Sequence, residues 1–126
     1  MKILIVDDDR IHLRILESAM SNQGLQIETQ DDPEKAWEKL KTDYYDIIFL
    51  DWLMPGIDGI ELCKRIRTTS HGKKSIVIIV TVRNTDKDID QILAAGANDY
   101  IPKPLDIKNL LVRLRVAKNQ SIQLNS

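Results

Sequence analysis

The sequence predicts an α/β domain: five parallel strands in one doubly wound sheet, with helices on both faces. Three observations predict it. Short unbroken runs of Ile, Leu and Val alternate with longer stretches whose apolar residues recur at helical spacing. Strands buried on both faces read as such runs, and strict alternation with helices sets them parallel. The third observation is size. At 126 residues, 43% hydrophobic and 29% charged, the chain suits one packed core under a charged surface.

The elements follow in order. Ile3–Val6, Ile47–Leu50 and Ile76–Val80 are the clear strands, and Gln26–Thr29 and Asp99–Ile101 are weaker ones. Ile11, Ile15, Leu16, Ala19 and Met20 form one face of a first helix, from about Arg10 to Asn22 and ended near Gly24. Asp32-Pro33-Glu34 opens a second: an acceptor at the cap, Pro in the first turn, an acid at the positive dipole end. Its buried side is Ala36, Trp37 and Leu40. Ile60, Cys63 and Ile66 mark a third helix after Gly59. Ile89, Ile92 and Leu93 mark a fourth, ended at Gly96. Asp106 caps a fifth, with Leu110, Leu111, Leu114 and Ala117 inward. The domain is expected over residues 1–118. Residues 119–126, NQSIQLNS, read as a polar tail or the start of a helical linker.

Composition narrows the partners. Lys and Arg number 18 against 19 Asp and Glu, and no dense basic run exists, so direct nucleic-acid binding is not expected. No apolar run is long enough for a membrane span, and the start MKILIVDDD lacks the pattern of a signal peptide. The single cysteine, Cys63, fits a reducing compartment, and the cytoplasm is the expected location.

In open parallel sheets, ligands bind beyond the carboxyl ends of the strands. There the sequence places Asp7-Asp8-Asp9 after the first strand, Asp51 after the third, Thr81 after the fourth and Lys103-Pro104 after the fifth. Clustered carboxylates repel one another, and a hard divalent cation relieves this. Oxygen-only ligands suit Mg²⁺, held directly by Asp8 and Asp51 and through water by Asp7. A cation, Lys103 and a Thr81 hydroxyl are together complementary to a phosphoryl group, with Asp51 as nucleophile.

These residues carry a resemblance. VDDD at 6–9, DWLMPGIDG at 51–59, Thr81 and GANDYIPKP at 96–104, in that order, are similar to the receiver domain of bacterial two-component response regulators over roughly Lys2 to Ala117. The resemblance implies a flavodoxin-like (βα)5 fold with strand order 2-1-3-4-5. It implies that Asp51 is the phosphoacceptor and that Mg²⁺ is bound by Asp7, Asp8, Asp51 and the Leu53 backbone carbonyl. It makes Thr81 and Tyr100 the switch pair and the Lys103–Pro104 bond cis. The phosphoryl group would come from a histidine kinase or a phosphotransfer protein. The readout would be the face of the fourth helix, fifth strand and fifth helix, offered to a downstream protein, an attached output domain or a second copy. The domain would be a switch rather than an enzyme, its chemistry confined to its own phosphorylation and dephosphorylation.

Departures from the family pattern are expected to tune this. Val82 stands where Ala or Gly is usual, so crowding of the phosphoryl pocket and a phosphorylated form lasting minutes are expected. Leu53 and Arg83 lie at positions that tune dephosphorylation in the family. Plainer roles are assigned elsewhere. Asp9 and Asp58 read as helix caps, Cys63 and Trp37 as packing, and Trp52 as a residue near the site mouth. His12 and His71 read as surface or helix-face residues without partners. Two rival functions remain. A phosphatase with an aspartyl-phosphate intermediate needs an acid two residues after the nucleophile, where this chain has Leu53. A receiver-like binding module working without phosphorylation would lack one of the acids or the lysine, and all are present.

Overall fold

The computed structural model describes all 126 residues. The chain alternates strand and helix five times: β1 (Lys2–Val6), α1 (Arg10–Ala19), β2 (Gln26–Gln30), α2 (Pro33–Leu40), β3 (Ile47–Asp51), α3 (Gly59–Thr68), β4 (Ile76–Thr81), α4 (Asp86–Ala94), β5 (Asp99–Pro102) and α5 (Ile107–Leu124). All pairings are parallel. The strand order is 2-1-3-4-5, as the resemblance implied.

Side-chain alternation along the strands sorts the core into two layers. Leu4, Val6, Ile48, Leu50, Val77 and Ile79 face α2, α3 and α4. Ile3, Ile5, Ile47, Phe49, Ile76 and Ile78 face α1 and α5. The three central strands are buried along almost their whole length, which is why they read as unbroken apolar runs. The edge strand β2 is only partly covered, which is why its signal is weak. Each fully buried Ile, Leu or Val contributes roughly 1.5–3 kcal/mol of transfer free energy, so these two layers carry most of the stability.

Caps start the helices where the sequence placed them. Asp9 accepts from the N–H groups of Ile11 and His12, Asp32 from Glu34, Asp58 from Glu61, and Asp106 from Lys108 and Asn109.

Several inward assignments need correction. α1 ends at Ala19, three residues early, because the chain turns through Asn22 at φ 63. Its buried stripe is Leu13, Leu16 and Met20, whereas Ile11 is 72% and Ile15 45% exposed. Apolar residues cover more than half of this helix's circumference, so periodicity alone could not choose the inward side. Leu93 of α4 is likewise exposed, while Ile92 is buried. α5 continues as helix through residues 119–124, and Asn125 donates from its side chain to the Tyr44 hydroxyl. No helix is long and apolar enough to cross a membrane.

Candidate functional site

Three strand ends bring the expected residues to one rim. β1 delivers Asp7, β3 ends in Asp51, and β4 ends in Thr81. Register fixes their relative heights: Asp51 lies opposite Val80, and Thr81 opposite Pro102, next to Lys103. One carboxylate oxygen from each of Asp7, Asp8 and Asp51 lies within 4.8 Å of the others. Lys103 Nζ donates to Asp51 Oδ1 at 3.1 Å and stands 3.7 Å from Asp7 Oδ2. The Lys103–Pro104 peptide bond is cis.

The three successive acids have three different environments. Asp7 is buried, with 1% of its surface exposed, and Asp8 is open to solvent. Asp9 is spent on the α1 cap, as expected. Asp7 accepts from the Asp9 N–H at 3.0 Å on one oxygen and from His12 Nδ1 on the other. Burial opposes its ionisation. The His12 hydrogen bond, the Asp9 N–H and the Lys103 charge outweigh that opposition and hold its carboxyl below the ordinary range. Asp51 goes the other way. Burial and then the charge of Asp7 push it up to about 6, with Lys103 pulling against them. One ammonium thus faces two buried carboxylates and a third exposed one, so the rim carries uncompensated negative charge.

Thr81 is buried at the end of β4, and its hydroxyl oxygen accepts from the Arg83 N–H at 2.8 Å. Tyr100 is half-buried in β5 and packs against the α2–α3–α4 layer. Leu53 is 51% and Val82 59% exposed, so neither side chain fills the rim in this state. α3 presses on the site from below. Gly59 donates its N–H to the Trp52 carbonyl at 2.8 Å, and a Cβ added at Gly59 would lie 2.2 Å from the Asp51 carbonyl oxygen.

Three residues differ from their sequence assignments. His12 is the partner of Asp7, not a free helix-face residue. His12 lies one turn before the buried Leu16, on the side of α1 that faces the end of β1. His71 donates through Nε2 to the Leu40 carbonyl, so it too has a partner. Trp52 is 2% exposed rather than lying at an open mouth, and the Arg83 guanidinium covers its ring at 4.1 Å.

The fold and the rim together define a class: a doubly wound α/β domain with an acidic, lysine-bearing site at the carboxyl edge of its sheet. Within that class the chain belongs to the response regulator receiver domain family, whose pattern matches residues 3–115. Response regulator ArlR of Staphylococcus aureus (strain Mu50 / ATCC 700699) is 37% identical over 114 residues, covering 90% of this chain and 51% of that protein. The chain therefore spans about half the length of the curated relatives it matches. Among solved structures, a two-component response regulator from Clostridium difficile superposes with a TM-score of 0.85 at 30% identity, covering 94% of this chain and 96% of that one. The chemotaxis protein CheY4 of Vibrio cholerae gives 0.85 at 27%, covering 92% and 97%.

Proposed function

We propose that the chain is a phosphorylation switch in which Asp51 accepts a phosphoryl group from the phosphohistidine of a histidine kinase or phosphotransfer protein. The observation that carries this reading is the Lys103–Asp51 contact at 3.1 Å inside a cluster of three acids. A carboxylate oxygen of Asp51 attacks phosphorus, the phosphorus–nitrogen bond of the donor breaks, and the imidazole keeps the electron pair and takes up a proton. Lys103 neutralises a phosphoryl oxygen, and the Thr81 hydroxyl donates to another once it turns toward the site.

The donor set also fits Mg²⁺: three carboxylates, no sulfur, and an Asp51 raised to about 6 by burial and then by the charge of Asp7. Asp8 and Asp51 would hold the ion directly, Asp7 through water, and Leu53 through its backbone carbonyl. When bound, it neutralises charge on the phosphoryl oxygens.

The output reading follows from Thr81 and Tyr100. As Thr81 turns, Tyr100 moves further inward and repacks the α4–β5–α5 face for a downstream protein, an attached output domain or a second copy. The receiver unit is residues 1–118, with 119–126 a polar tail or the start of a linker. Val82, directly after Thr81, slows hydrolysis, and the phosphorylated form lasts minutes or longer.

The deciding experiment is incubation with acetyl phosphate and Mg²⁺, read by intact mass. One added phosphoryl group, absent in Asp51→Asn and absent without metal, is expected. No gain under any metal condition would favour a binding module that works unphosphorylated. Decay of the modified form within seconds would overturn the role of Val82.

A further inference from the structure

Arg83 makes three contacts that no part of the phosphoryl-transfer reading uses. Its guanidinium lies 4.1 Å from the ring centroid of Trp52, the residue directly after Asp51. The same group donates to Asp88 Oδ1 through Nη2 at 3.1 Å and through Nε at 3.3 Å. Its backbone N–H donates to the Thr81 hydroxyl oxygen at 2.8 Å. Asp88 is no ordinary surface acid. Its other oxygen accepts from the Thr85 N–H while its own N–H donates to Thr85 Oγ1, a reciprocal box that starts α4. One residue thus touches the ring beside the acceptor, the hydroxyl of the switch threonine and the cap of the helix on the output face.

We propose that Arg83 is a positioning residue that couples the charge state of Asp51 to the N-terminal cap of α4, by leaving Trp52 and Asp88 when Thr81 turns toward the site. The proposal rests on the reading of Asp51 as phosphoacceptor and of Thr81 as the residue that turns. Rotation of the Thr81 side chain takes away the acceptor of the Arg83 N–H, and residues 82 and 83 lose the bond that fixes them to the end of β4. A phosphoryl group adds nearly two negative charges close to Trp52, and a guanidinium pairs with phosphoryl oxygens better than a lysine does. Asp88 then holds the box of α4 without its cation, and the first turn of the helix loosens. The stack on Trp52 makes the first event visible, because a cation on an indole face alters its emission.

The test uses a Trp37→Phe background, so that Trp52 is the only tryptophan, with Arg83→Met as the variant that keeps length and removes the cation. Emission and intact mass are followed together in acetyl phosphate and Mg²⁺, and each spectral change is divided by the phosphorylated fraction. Hydrogen exchange at Asp88 and Ile89 is measured on the same samples. With Arg83 present, phosphorylation is expected to shift Trp52 emission and to speed exchange at the α4 start by about twofold, the factor set by losing one partly exposed ion pair beside the cap. With Arg83→Met, the unmodified protein is expected to show fast exchange already, and phosphorylation to lose most of its spectral and exchange effect while the mass gain persists. Equal changes per phosphoryl group in both proteins would overturn the coupling and leave Asp51 as acceptor. No mass gain in the Arg83 protein would overturn both.

Discussion

The molecule handles buried charge in opposite ways at two places. Around Arg67 of α3 a half-buried cation is met by fixed neutral partners. Its guanidinium donates to the carbonyls of Gly96, Gly72 and Ser75 and to the Asn98 side chain, all at 2.7–2.9 Å. Gly96, at φ 98, has no side chain to block the approach. No carboxylate takes part, and four of the five guanidinium N–H groups meet neutral acceptors of fixed position. At the acidic rim three carboxylates share one lysine, and Asp51 is left at about 6. The first arrangement ties three segments together and stays as it is. The second leaves an excess of negative charge that a bound cation would relieve. Buried charge at a settled site is structure, and buried charge at an unsettled one is chemistry.

The difference can be broken from either side. The largest effect is on modification itself: Asp51→Asn is expected to abolish phosphoryl uptake by intact mass, whereas Arg67→Met should leave its stoichiometry intact in whatever fraction stays folded. Stability then reverses the ranking. Arg67→Met orphans several carbonyls and should cost about 3 kcal/mol in urea unfolding. Asp51→Asn should stabilise the protein at neutral pH by roughly 2 kcal/mol, on the order of 5 °C in Tm, when no divalent ion is present.

The sign of that gain follows from linkage. Native Asp51 titrates near 6, above the ordinary value of 3.8. Between those pH values the native state keeps a proton that the unfolded chain has released, so the contribution of Asp51 to stability falls as pH rises through the window. The Tm advantage of Asp51→Asn over the parent should therefore be absent near pH 4, grow toward pH 6 and level off above it. Millimolar Mg²⁺ should narrow it by stabilising only the parent. A constant advantage across that range would mean that the repulsion at the rim has been misjudged. The smallest effect is a control within the settled region. The Ser75 hydroxyl donates to the Tyr45 carbonyl at 2.7 Å, and Ser75→Ala should cost about 1 kcal/mol with no pH dependence between 4 and 7.

The strands and the rim were legible in the sequence for the same reason. A parallel sheet buried on both faces writes itself as apolar runs, and the residue ending each run must sit at the carboxyl edge. Asp7, Asp51, Thr81 and Lys103 could be placed from that alone. Helix orientation was less legible. On α1 the run of Ile11, Leu13, Ile15, Leu16, Ala19 and Met20 offers two inward faces, and only the seat of the helix on β1 chooses between them. The partners of side chains across elements were not legible at all. His12 on Asp7 and Arg83 on Trp52 are contacts between a helix or loop and a neighbouring strand end, and no spacing rule reports a distance of that kind.

Gly59 decides where motion can go. With the α3 start seated against the Asp51–Trp52 peptide and no room for even a methyl group, the main chain bearing the acceptor is an anvil. A blow delivered to the Asp51 side chain cannot be absorbed by recoil of β3. The neighbouring strand end is the freer neighbour: the Thr81 hydroxyl makes one hydrogen bond, from the Arg83 N–H, and the residues after it stand in solvent. In the switch proposed for Asp51, the close contact at one glycine thus favours movement toward β4 over movement of β3.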